Sequence, residues 1–339
     1  MEKSDRINIK LETLICVLNK MLDTEIIRAD YQIKQLHGGT VGNVNLVIGI
    51  AETIGGDKLP YNVVLKIQYK WERYGDPGSW RREYDLYLSD LENLFSDTLR
   101  WAKCYHAEIN GDKTETQLWV EYIDGVSGYD LTPEMLEYAA TELGRFQGRL
   151  YKEQPRLLQN ISCFTEIADV KDYYMENNMK SEESRYVRSE DCEIPKHLRQ
   201  MIIDVGDETE KIYDNINNMP VVLCHRDFWV KNIIYSNGKI ILLDWDCTGW
   251  GYMFEDVIQL ITDEIDIKYL EEYYRRLVPA YLKGFSEYTD ISWIDKLYAW
   301  KMLIIKCTRN FVYWYMSAKS SDEKSKYIDM LQKIYDMRE

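Results

Sequence analysis

The 339-residue sequence predicts an α+β chain of two lobes, a small N-terminal one built on an antiparallel sheet and a larger, mainly helical C-terminal one. Three observations predict it. Residues Tyr31–Leu36 and Asn43–Ile50 alternate apolar and polar side chains at strand period, and Asn62–Tyr69 follows as a third strand. From Pro133 onward, apolar residues recur mainly at helical spacing. Between the two regimes Gly125 and Gly128 interrupt the pattern, which sets the lobes at 1–123 and 124–339.

The first two strands are separated by His37-Gly38-Gly39-Thr40-Val41-Gly42. These glycines suit a hairpin turn, and equally they let a backbone bring its amides close to phosphate oxygens. In the third strand, NVVLKIQY, Lys66 is the single charged residue among apolar neighbours. Trp80–Leu94 reads as a helix and carries Glu83 seventeen positions after Lys66; with Arg81, Arg82 and Tyr87 it also fits a solvated charged face. Leu118–Ile123, LWVEYI, is a further apolar strand, broken at once by Asp124-Gly125.

In the second lobe Thr132-Pro133 is an N-cap followed by proline at the first helical position, and Leu136, Ala139, Ala140, Leu143 and Phe146 continue a helix to Tyr151. Met175–Glu193 is polar and charged with little periodicity, so it reads as a mobile loop or lid. Helical patterns resume over His197–Ile216 and again from Phe254 to the C-terminus. Between them Val221–Cys224 reads as a short buried strand, followed by a polar loop, His225–Asn232. Ile233–Tyr235 and Lys239–Leu243 then pair as a β-hairpin through the turn Ser236-Asn237-Gly238. Asp244 therefore ends the second strand of the hairpin, beside the loop that begins the first.

That arrangement carries chemistry. Transfer of a γ-phosphoryl group asks a protein for a positioned divalent cation and for a carboxylate that orients an acceptor hydroxyl and takes its proton. Mg²⁺ prefers oxygen ligands and usually takes one or two side chains beside phosphate oxygens and water. Asn232 and Asp244 suit the metal; Asp227 suits the hydroxyl. Any one of these is an ordinary turn residue, and only the compound pattern is specific.

The stretch from His225 to Asp256 resembles the small-molecule kinases with a protein-kinase-like fold, among them aminoglycoside phosphotransferases and choline and ethanolamine kinases. Their pattern is approximately HGDxxxxN, then a strand ending in IDW or IDF with an acidic residue, then a later Asp. His225, Asp227 and Asn232 match the loop, Asp244-Trp245-Asp246 the strand end, and Asp256 the later Asp. The resemblance implies Asp227 as catalytic base, Asn232 and Asp244 as Mg²⁺ ligands, and Asp256 as a brace for the loop backbone. It further implies that Lys66, held by Glu83, pairs with the phosphates of ATP or GTP beneath Gly38, Gly39, Thr40 and Gly42, and that the Glu121 carbonyl and Ile123 amide hold the base. Two departures stand out: Arg226 replaces the usual Gly, and Lys231 replaces a common small residue beside Asn232.

Composition narrows the alternatives. A net charge of -15 disfavours nucleic acid as a partner and would attract a cationic substrate, although such acidity also serves solubility. No apolar run approaches the ~20 residues of a membrane span, and the start reads as no signal peptide. Seven Cys without metal spacing fit a reducing cytoplasm, and four His make a zinc enzyme a poor fit. Only residues 245–255 separate Asp244 from Asp256, too few for the activation segment of a protein kinase. A non-catalytic relative would have lost one of Asp227, Asn232 or Asp244. The activity the resemblance implies is ATP- or GTP-dependent phosphorylation of a hydroxyl on a small molecule, an aminoglycoside in the first place, with a choline-, ethanolamine- or sugar-type acceptor as the alternative. For acceptor contacts the C-terminal lobe offers Asp263, Glu264, Asp266, Glu271 and Glu272 with Tyr269, Tyr273 and Tyr274, then Trp293, Trp300, Tyr313 and Trp314; acids on a solvated face with aromatics in the core would read the same way.

Overall fold

The computed structural model of the chain describes residues 9–36, 42–71, 73, 75–216, 218–263, 267–295 and 297–338. Its contacts divide it into two units, residues 1–73, 77–92 and 101–124 in one, and 74–76, 93–100 and 125–339 in the other.

The first unit holds helix α1 (Leu11–Leu22), strands β1 (Ile26–Ala29), β2 (Gln32–Gln35), β3 (Gly42–Thr53) and β4 (Lys58–Tyr69), helix α2 (Ser79–Tyr87), and, after β5 (Leu99–Trp101), strands β6 (Cys104–Ile109) and β7 (Glu115–Glu121). The antiparallel sheet runs β1-β3-β4-β7-β6, with β2 also paired to β3. Alternation along β4 decides what each face does. Val63, Leu65 and Ile67 are buried with Leu14, Val17 and Leu18 of α1, Val47 of β3 and Trp119 of β7 in one apolar cluster. Because successive strand residues point to opposite faces, Lys66 projects away from that cluster. The helix expected over 80–94 breaks after Tyr87, and a 3-10 turn covers Asp90–Leu94. The cause is Ser89, whose hydroxyl donates to the Leu86 carbonyl at 2.6 Å and accepts from the Leu91 amide at 3.2 Å, in competition with the helical ladder.

The second unit follows with β8 (Val126–Ser127), α3 (Pro133–Glu153), α4 (Ile167–Met175), α5 (Glu182–Arg188), α6 (Lys196–Tyr213), strands β9 (Val221–Cys224), β10 (Ile233–Ser236), β11 (Lys239–Leu242) and β12 (Gly249–Tyr252), and helices α7 (Glu255–Thr262), α8 (Leu270–Ser286), α9 (Leu297–Ser317) and α10 (Ser321–Asp336). Thr132 caps α3 as its sequence predicts, accepting from the Met135 amide at 3.3 Å. Helices α3 and α8 touch backbone to backbone: a Cβ on Gly144 would overlap the Tyr281 carbonyl oxygen, and one on Gly284 the Thr141 carbonyl oxygen. The hairpin β10–β11 turns at Asn237 and Gly238, both at positive φ (50° and 76°), as the two-residue turn between Ser236 and Lys239 requires.

Residues 175–193 are not a loop. They form a π-helical turn, Glu176–Lys180, then α5, capped by Ser181, whose hydroxyl accepts from the Ser184 amide at 3.1 Å. Val187 is 1% exposed, and Arg188 holds Asp207 of α6 at 2.5 Å. With no buried residue in the π-helical turn and a single buried apolar one, Val187, in α5, the segment has no periodicity for a sequence to display. Among the described residues, no helix is long and apolar enough to cross a membrane.

Candidate active site

In the first unit the candidate phosphate-binding pair is in contact. Lys66 faces away from the core on β4, and its ammonium donates to Glu83 Oε2 of α2 at 2.5 Å, both side chains largely buried. Gly42 opens β3 opposite Gln68, and a Cβ there would overlap the Ile67 carbonyl oxygen, so the glycine permits the close approach of β3 to β4. Gly38, Gly39 and Thr40 lie outside the described residues. At the candidate base-binding segment, the Glu121 amide donates to the Lys103 carbonyl at 2.8 Å and its carboxylate accepts from the Lys103 amide at 3.2 Å. Ile123 follows, two residues beyond the end of β7.

In the second unit the polar loop springs from β9, which pairs antiparallel with β12. His225 is 2% exposed and packs edge-on to Trp245 with ring centroids 4.6 Å apart. Its Nδ1 accepts from the Asp227 amide at 3.3 Å, which bends the loop back and leaves the Asp227 side chain half-buried rather than enclosed. Asn232 ends a 3-10 turn, and its amide nitrogen donates to Asp227 twice, at 2.6 Å to Oδ2 and 2.9 Å to the carbonyl. The Asn232 carbonyl in turn accepts from the Leu243 amide at 2.9 Å, so the residue before Asp244 is tied to the backbone of Asn232. β11 stops at Leu242, two residues earlier than a strand-ending Asp244 implies, because Asp244 takes a left-handed backbone conformation with φ 62°.

Asp256, 1% exposed near the start of α7, accepts from the amides of His225 and Arg226, each at 2.8 Å, and from Gln147 Nε2 of α3 at 2.9 Å. Burial pushes its carboxyl up to about 6, and the two backbone N–H groups restrain that rise. Gln147 also donates to the Leu223 carbonyl at 3.0 Å and accepts from the Tyr281 hydroxyl at 2.6 Å, which anchors the bracing network in the α3–α8 core. The departure at Arg226 has a geometric content: its φ is 62°, a conformation that glycine adopts without strain. Here the guanidinium offsets the strain by donating to Thr165 Oγ1 and to the Trp250 carbonyl.

Beside the loop lies a pocket of about 570 Å³ lined by Asp227 and Trp229 of the loop, Ile261–Asp263 at the end of α7, Leu270 of α8, and Cys307, Asn310, Phe311 and Trp314 of α9. The four α9 positions fall three and four apart, one face of a helix. Phe311 and Trp314 meet edge to face with centroids 5.6 Å apart. Asp263 accepts from Gln259 Nε2 at 3.0 Å. Next to it Lys306 is half-buried; desolvation alone would lower its ammonium pKa, but Tyr174, Glu255 and Asp263 outweigh it and raise it.

Of the acceptor candidates named from sequence, the structure brings Asp263 and Trp314 to this pocket. Glu264 and Asp266 lie outside the described residues. Glu271 pairs with Arg275 at 3.0 Å and Glu272 approaches Arg276 at 3.9 Å on the exposed side of α8; Trp300 donates to the Ile334 carbonyl at 2.7 Å inside the core; Trp293 and Tyr313 are exposed. Sequence reasoning missed Trp229, Asn310 and Phe311. The i, i+3, i+4, i+7 spacing of Cys307, Asn310, Phe311 and Trp314 was the available signal, hidden in a helix apolar on most sides.

The sequence model of the phosphotransferase enzyme family (APH) matches residues 102–291, more than half the chain and all of the loop from His225 to Asp256. The chain belongs to this phosphotransferase family. No curated protein matches the sequence. Among solved structures, the choline kinase of Cryptosporidium parvum Iowa II is similar at 15% identity over 97% of this chain and 96% of that one, with a TM-score of 0.53. A microcompartment-associated aminopropanol kinase is similar at 13% identity over 95% of each chain, with a TM-score of 0.51. At these identities the likeness is one of fold. This phosphotransferase accordingly has the α+β, protein-kinase-like fold its sequence predicts, and its family membership makes it a kinase.

Proposed function

We propose that this kinase transfers the γ-phosphoryl group of ATP or GTP to a hydroxyl of a small cationic molecule held in the pocket beside Asp227. The observation that carries the reading is the pocket itself, in which one candidate catalytic carboxylate, a second acid and three aromatic side chains share a wall. Asp227 orients the acceptor hydroxyl and takes its proton as the oxygen bonds to the γ-phosphorus; the bond from phosphorus to the β–γ bridging oxygen breaks, and nucleoside diphosphate leaves. The amide hydrogens that Asn232 directs at Asp227 keep that carboxylate in one rotamer, which is positioning rather than proton chemistry.

The donor set fits Mg²⁺. With its nitrogen committed to Asp227, Asn232 presents Oδ1, and Asp244 adds a carboxylate; oxygen atoms from one or two side chains are what this ion takes from proteins that bind it with a nucleotide. When bound there it would neutralise charge on the phosphate oxygens. In the first unit Lys66, fixed by Glu83, is the residue to pair with nucleotide phosphates, with Gly42 as a further candidate and Glu121 and Ile123 for the base.

An aminoglycoside is the first acceptor to test, because Asp227 and Asp263 on one pocket suit amino groups. The second reading, a compact amino alcohol such as choline or ethanolamine, is favoured by the aromatic walls of Trp229, Phe311 and Trp314, which suit an ammonium group. A coupled assay of nucleoside diphosphate release, run with ATP and with GTP against aminoglycosides, choline, ethanolamine and simple sugars, decides between them. Release that depends on one class of cationic acceptor is expected. Release that is equal with and without every member of the panel would count against the pocket as an acceptor site.

A further inference from the structure

Lys231 is the departure from the family pattern that the reaction chemistry leaves unused. It stands one residue before Asn232 in the 3-10 turn Val230–Asn232, exposed at the surface of the loop. Its ammonium nevertheless has a defined place. It lies 4.7 Å from the ring centroid of Trp229 and 5.7 Å from that of Tyr129, within cation–π range of both rings. Tyr129 belongs to the 3-10 turn Gly128–Asp130 directly after β8, and β8 pairs with β10 at Ser127↔Ile234. The second ring is therefore set in register with the strand that leaves Asn232.

Trp229 is the residue this arrangement acts on. Its backbone is held, since its carbonyl accepts from the Asn232 amide at 2.9 Å, but the indole is only partly buried and can rotate about its own side-chain bonds. That indole lines the pocket with Asp227, whereas Lys231 is not among the lining residues. The ammonium thus rests over a face of the ring without itself lining the pocket. A small side chain at 231 would leave that face to water and the indole with more freedom.

We propose that Lys231 is a positioning residue whose ammonium, seated against Tyr129, fixes the Trp229 indole as a wall of the pocket and so sets how tightly the acceptor is held. The inference rests on the pocket's being the acceptor site, and the test separates the two. The chain is labelled with 5-fluorotryptophan, and the Trp229 resonance is assigned by its loss in Trp229→Phe. In Lys231→Met, which keeps the length and removes the charge, that resonance should shift and broaden; in Lys231→Arg it should stay near its wild-type position. In the phosphotransfer assay with choline and with kanamycin as probes, Lys231→Met should raise the acceptor KM about fivefold, the scale of one exposed cation–π contact. Nucleotide KM and kcat should stay within about twofold, and Lys231→Arg should restore the acceptor KM. An unmoved Trp229 resonance overturns the proposal whatever the activity. So does a change confined to nucleotide KM or kcat, which would make Lys231 a phosphate contact. If neither probe is phosphorylated by the wild-type chain, the acceptor reading for those compounds fails, and the fluorine signal alone decides whether Lys231 holds the ring.

Discussion

Replacing Asp256 by Asn should separate the bracing of the catalytic loop from the stability of the fold. One carboxylate oxygen accepts from the His225 amide and Gln147 Nε2, the other from the Arg226 amide. An asparagine must aim its NH₂ at one of these sets of donors, leaving at least one buried N–H unpaired at roughly 1–3 kcal/mol. Against that loss, the variant no longer holds a charge in the core. The carboxyl is raised from its ordinary 3.8 to about 6, equivalent to about 3 kcal/mol of resistance to ionisation at neutral pH. A raised folded-state pKa means that this group's favourable contribution is complete below the unfolded value and is lost as pH climbs through about 6. Between pH 5 and 7.5 the wild-type chain should therefore lose about 1.4 kcal/mol, relative to Asp256→Asn, in urea unfolding. At pH 7.5 the two effects nearly cancel, so global stability should change little. Activity should not be spared: with the His225–Arg226 backbone less well held, kcat should fall roughly tenfold to a hundredfold. The wild-type acid limb near pH 6, where Asp256 takes up a proton, should disappear from the variant. A wild-type kcat in Asp256→Asn, or an unfolding difference independent of pH, would refute the reasoning.

Other perturbations follow from the same contacts. Lys66→Met removes the 2.5 Å partner of a buried carboxylate and should lower stability by about 2 kcal/mol; adding Glu83→Gln should recover most of that in urea titrations while nucleotide KM stays raised at least about tenfold. Gly144→Ala forces a methyl against the Tyr281 carbonyl, so thermal unfolding should report a loss of about 3 kcal/mol as α3 and α8 are pushed apart. Arg226→Gly relieves the positive φ but gives up the guanidinium bonds to Thr165 and the Trp250 carbonyl, a net loss of about 2 kcal/mol. Its kcat should change less than that of Asp256→Asn, because the amide at 226 that Asp256 holds is still there.

What the sequence made legible was whatever depends on neighbours in the chain. Alternation revealed β2 and β3, Thr132-Pro133 located the start of α3, and Asn237-Gly238 announced a turn whose backbone has the required left-handed conformation. The pairing of Lys66 with Glu83 was readable because a strand lysine and a helix glutamate followed one another in an order the family pattern supplies. Burial through tertiary contact was not readable. The polar stretch 175–193 folds as helical turns because Val187 and charge partners on α6 hold it, neither visible within its own composition. The pocket beside the loop was legible in three of its aromatic or acidic side chains, Asp227, Asp263 and Trp314. Trp229 sat unremarked inside the catalytic loop, and Phe311 and Asn310 lie on a helix whose apolar residues surround most of its circumference. The reason for glycine at the position of Arg226 in related sequences emerged only with its φ of 62°.

The most direct test of the account is Asp227→Asn, measured for nucleotide binding by calorimetry and for turnover with the acceptor that the panel identifies. Nucleotide affinity within about twofold of wild type, with turnover lower by at least about a hundredfold, is the predicted result. Turnover at the wild-type level would contradict it, because the carboxylate that Asn232 holds at the edge of the pocket would then have no part in moving the acceptor's proton.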